Sequence, residues 1–135
     1  MKLEEQVCSL KLAKKLKKLG VKQEGSLCWV KYKDRYEIWD SGTESWYKDK
    51  QWSAFTASEL GEMLPQFVRV KHGRIKEKRN FRLEIRKDAY GRFFAGYVKQ
   101  EEDEPDFVLC AGLNTMANAL AKNLIYLLEN KLIKK

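Results

Sequence analysis

The chain reads as an α+β protein: an antiparallel sheet of two hairpins, with a C-terminal helix packed on it and two short helices. Three observations predict that class. Phe81, Leu83 and Ile85 alternate with Arg82, Glu84 and Arg86, the period of a half-buried strand. Leu27–Tyr32 and Tyr36–Trp39 are a second pair of aromatic and β-branched runs. Near the end, Leu120, Leu124, Leu127 or Leu128, then Lys131 or Leu132 repeat at helical spacing.

The 135 residues fit one domain, 1–135. A domain of this size buries roughly 68% of its unfolded surface, and four Trp, six Tyr and six Phe can fill its core. No run approaches about 18 apolar residues, so no membrane helix is expected. No positive region followed by an apolar stretch opens the chain, so no signal peptide is expected. Cys8, Cys28 and Cys110 are odd in number and far apart, and read as reduced, buried thiols in a cytoplasm.

Taken in order, residues 1–8 read as extended. Ser9 is an N-cap for a helix over Leu10–Leu19, and Gly20 ends it. Leu12, Leu16 and Leu19 share one face, while Lys11, Lys14, Lys15 and Lys18 lie around the other as a solvated surface. Leu12–Gln23 sounds like the start of a helix-turn-helix. The small residue, Ala13, is misplaced relative to Gly20, and Gly25–Tyr32 alternates like a strand, so that motif is not expected. Lys33-Asp34-Arg35 joins the first hairpin. Asp40–Trp52 reads as a polar loop whose Trp46, Tyr47 and Trp52 either stack on bases or fold back as a lid. Thr56 and Glu59 form a capping box for a helix that runs to about Leu64 and stops at Pro65. Residues 101–106 are a solvated acidic loop, Phe107–Cys110 a short strand, and Thr115–Leu132 the last helix.

Chemistry concentrates in the centre. Between Gln66 and Arg92, ten Lys/Arg face three acids, which places +7 of the chain's +8 in that window. Asp88-Ala89-Tyr90-Gly91 supplies a turn, and Arg92–Val98 a return strand, so the expected object is a hairpin with a basic outer face. Its expected contacts with a partner or nucleic acid are Arg74, Lys76, Lys78, Arg79, Arg82, Arg86, Lys87 and Arg92. Trp46, Trp52 and Tyr90 are aromatic candidates, with Phe94 or Tyr97 as further stacking partners. The single histidine, His72, sits beside Gly73 in this basic stretch and reads as a solvated loop residue. Without a Cys-x-x-Cys, a His pair or clustered carboxylates, no metal, cofactor or enzymatic activity is expected.

Three blocks carry a resemblance: VCSLKLAKKLKKLGVKQE (Val7–Glu24), SAFTASELGEMLP (Ser53–Pro65) and NLIYLLENKLI (Asn123–Ile133). In that order, and over about a third of the chain, they resemble small hypothetical proteins of bacteriophages and mobile elements. The basic centre, Gln66–Arg92, departs from that group. The resemblance implies an accessory or anti-defence protein in the cytoplasm of a bacterial host. The expected function is a non-enzymatic inhibitor of anti-CRISPR type, which binds an RNA-guided host effector or its guide-RNA complex. The alternative is a phage module that binds RNA or DNA directly.

Overall fold

The computed structural model describes residues 2–41, 50–70, 79–87, 89–99, 107–113 and 115–133. Its elements are α1 (Leu3–Gln6), α2 (Leu10–Lys18), β1 (Leu27–Tyr32), β2 (Arg35–Asp40), β3 (Gln51–Ser53), α3 (Ala57–Met63), β4 (Phe67–Val70), β5 (Arg79–Lys87), β6 (Phe93–Lys99), β7 (Phe107–Leu113) and α4 (Met116–Glu129). The class is α+β, as expected.

Caps set the helix ends. Ser9 Oγ accepts from the Leu12 amide at 3.4 Å. At the other end of α2, Gly20 takes φ +90° and donates to the Lys17 carbonyl, while Val21 donates to Leu16, a Schellman close. The Thr56–Glu59 box opens α3, with Glu59 N to Thr56 Oγ1 at 3.2 Å and Thr56 N to Glu59 Oε1 at 3.0 Å. Thr115 Oγ1 accepts from the Asn118 amide to open α4. Residues 1–8 are not all extended. Leu3–Gln6 make one helical turn, with Glu5 accepting from the Lys2 amide, and only then does Val7 bridge Thr56 as a strand would.

The two expected hairpins form, but in separate antiparallel sheets, ordered β2-β1-β3 and β4-β5-β6-β7. The division follows from edges. β3 pairs with the free side of β1, setting Trp52 opposite Trp29, and β4 and β7 occupy both sides of the β5–β6 hairpin. Neither hairpin then has an open edge for the other. Trp52 therefore belongs to a strand rather than a loop, and it is partly buried against the core.

α4 packs across β6 and β7, and also against α2 and α3. Leu120, Leu124 and Leu127 are buried, as the helical spacing implies. Asn123 fastens the helix to the sheet by donating to the Ala95 carbonyl at 2.8 Å. Tyr97, offered as a stacking residue, is fully buried. Its hydroxyl donates to the Pro65 carbonyl at 2.7 Å and ties the end of α3 to β6. On β5, Phe81 is buried and Leu83 packs on the core, but Ile85 is 42% exposed. Ile85 is on the helix side, opposite Ala95, yet α4 lies over β6 and β7 and leaves that end of β5 uncovered.

Candidate nucleic-acid interface

Partners across an antiparallel ladder share a face. Phe81, Leu83 and Ile85 pair with Lys99, Tyr97 and Ala95, and this is the face that α4 covers. The other face is built from the alternate positions. Arg82, Glu84 and Arg86 of β5 pair with Val98, Gly96 and Phe94 of β6, and Arg82 also pairs with Phe67 of β4. Arg69, two residues beyond Phe67, falls on the same side opposite Asn80.

Gly96 and Val98 are buried on this side. Phe67 is 47% exposed, Phe94 is partly exposed, and Arg69, Arg82 and Arg86 are exposed. Arg92 follows the hairpin turn and places its guanidinium carbon 5.7 Å from the Phe94 ring and 5.7 Å from the Tyr90 ring. One acid sits among these arginines. Glu84, with a side chain 18% accessible, pairs with Arg82 at 3.5 Å through one oxygen and with Arg86 through the other. It lies opposite Gly96, which has no side chain to compete for that space. Among the described residues, this face and the turn beside it present four arginines against one carboxylate, with two phenylalanines between them.

The expected residues divide accordingly. Arg82, Arg86 and Arg92 come together, and Tyr90, 87% exposed, stands beside Arg92 in the turn. Lys87 does not join them. It alternates to the helix side opposite Phe93, where its ammonium lies 5.3 Å from the ring. Arg79 opens β5 opposite Val70. Arg74, Lys76, Lys78, His72 and Trp46 lie outside the described residues, as does the acidic stretch 101–106. Trp52 is remote from this face, on the other sheet, under Lys14 and Lys17. Sequence reasoning missed Phe67 and Arg69. The alternation in Phe67-Val68-Arg69-Val70 carried the signal, with Val68 turned to the core.

Cys8 and Cys28 are buried free thiols, as expected. Burial pushes the Cys8 thiol up to about 11 and raises that of Cys28, so both stay protonated near neutrality and make poor nucleophiles. Among the described residues, no three His, Cys, Asp or Glu side chains come together as a metal site, and no helix is long and apolar enough to cross a membrane. Compared with family models, curated proteins and solved structures, the chain matches none.

Proposed function

We propose that the helix-free face of the four-stranded sheet binds single-stranded nucleic acid, RNA first, and that the protein acts by binding rather than catalysis. One observation carries this reading: the strand register gathers Arg69, Arg82, Arg86, Phe67 and Phe94 on one uncovered surface, with Arg92 at its edge. Arginines there meet phosphates bidentately, and the phenylalanines offer π-faces on which unpaired bases stack. A duplex hides its base faces, so a platform of this kind favours single strands.

The inhibition of an RNA-guided host effector, implied by the resemblance, would use the same face, with the guide RNA of the complex as the strand engaged. The test is filter binding of a short oligouridine at several salt concentrations. Affinity should fall linearly in log–log, by a slope of about −0.7 for each phosphate neutralised. Arg82→Glu/Arg86→Glu should flatten that slope by about 1.4. Unchanged binding by the folded double variant would remove this face from consideration. A pull-down of the effector complex, with and without RNase, separates the two forms of the proposal: loss on RNase treatment places the contact on RNA, and retention places it on protein.

A further inference from the structure

A pocket of about 470 Å³ lies between the C-terminal end of α2, α3 and α4, on the helix-covered side of the sheet. Its floor is Phe55 and Leu124, both buried, and its walls include the partly exposed Met63 and Leu128. The rim carries Glu24, Glu59 and Glu62 against Lys22, a net −2 on a chain of net +8. Glu59 is committed to the fold: one oxygen closes the α3 capping box, and the other accepts from the Ser26 amide at 3.0 Å. Glu24 and Glu62 are exposed, and neither makes an ion pair among the described residues.

This combination has a physical meaning. An apolar floor gains from covering, and a pocket of this size takes one large or two small side chains. Exposed carboxylates above it repel anions and reward cations next to the inserted group. Nucleic acid is excluded by sign. The pocket is open to solvent rather than enclosed, which suits a side chain presented by a peptide. We propose that this pocket docks a basic amphipathic segment of a partner protein. An apolar side chain enters between Phe55, Met63, Leu124 and Leu128, and flanking Lys or Arg residues pair with Glu24 and Glu62. The site is independent of the arginine face.

Fluorescence anisotropy with three labelled probe peptides on the whole protein tests this. They are an amphipathic Leu–Lys helix, its Leu–Glu counterpart, and a Lys–Ser peptide of equal charge without leucines. The Leu–Lys peptide should bind, the Leu–Glu peptide should not, and the Lys–Ser peptide should bind at least about tenfold more weakly, since the apolar anchor is gone. Glu24→Lys/Glu62→Lys should weaken the Leu–Lys peptide by about tenfold or more and leave oligouridine binding unchanged. Equal binding of the Leu–Lys and Lys–Ser peptides, or equal binding by wild type and the double variant, would overturn the proposal. So would a peptide-free dimer that sedimentation shows and the double variant disperses, because the occupant is then a second copy of this chain.

Discussion

Two basic regions of this protein hold their charge in different ways. On α2, Lys14 Nζ lies 4.8 Å from the Tyr36 ring and 4.9 Å from the Trp52 ring, and 3.3 Å from the Tyr36 hydroxyl oxygen. Lys15 pairs with Glu129 of α4 at 3.0 Å, and Lys17 donates to the Gln51 carbonyl at 2.8 Å. These lysines fasten a helix to the three-stranded sheet and to α4. On β5, Arg82 and Arg86 share a single carboxylate, Glu84, so two positive charges meet one negative and the face stays positive. A count of Lys and Arg along a sequence therefore overstates the charge that a ligand meets. What matters is which cations already serve an internal contact.

The largest expected effect is on binding. Arg82→Glu/Arg86→Glu should weaken oligouridine binding by about 2–6 kcal/mol, taking about 1–3 for each arginine. Lys14→Glu/Lys18→Glu, on the helix, should change it by less than about threefold, because no phosphate is released there. Equal losses in the two double variants would erase the distinction between the regions.

Next comes the support beneath the arginine sheet. Leu124→Ala should destabilise the protein by about 2–5 kcal/mol in urea melts, the cost of emptying a buried leucine site. A change below about 0.5 kcal/mol would place this side chain in solvent rather than in the core.

The third probes the other region through pH. Cys8 lies where the N-terminal segment meets the three-stranded sheet: its amide donates to the Phe55 carbonyl, and its carbonyl accepts from the Trp29 indole. Desolvation by burial raises its thiol from 9.0 to about 11. The unfolded chain then releases this proton before the folded one does. The contribution is whole below pH 9 and is lost as pH rises towards 11, by at most about 3 kcal/mol. Tyr97, also raised by burial, acts in the same direction at higher pH. Urea melts from pH 8 to pH 11 should show the decline, and Cys8→Ala should make it shallower. Equal slopes would mean that this thiol has no part in it.

The smallest effect sharpens the lysine side. Lys14→Met keeps the stem and removes the ammonium above Tyr36 and Trp52, and should cost about 0.5–1 kcal/mol. No measurable cost would make these contacts incidental, and α2 would then be as ready to meet a ligand as β5.

Much of this could be read before folding. Ser9, Gly20, Thr56, Pro65 and Thr115 mark helix ends because a cap is satisfied by residues three or four positions away. The alternation in Phe81–Arg86 assigned sides to β5, and the turn ending at Gly91, φ +80°, joined it to its return strand. These are local relations, and a sequence holds local relations directly.

What only the tertiary structure decided is which surfaces are covered, and by what. Alternation put Ile85 on the helix side, but the path of α4 over β6 and β7 left it exposed. The pairing of β3 with β1 turned Trp52 from a loop aromatic into part of a wall for Lys14 and Lys17. The register of β4 with β5 added Phe67 and Arg69 to the arginine face, and Gly96 made room beside Glu84. The pocket rimmed by Glu24 and Glu62 joins segments more than 100 residues apart, from Val21 to Ile133. Covering depends on contacts between distant segments, and residue spacing along the chain encodes a period but not the neighbour that meets it.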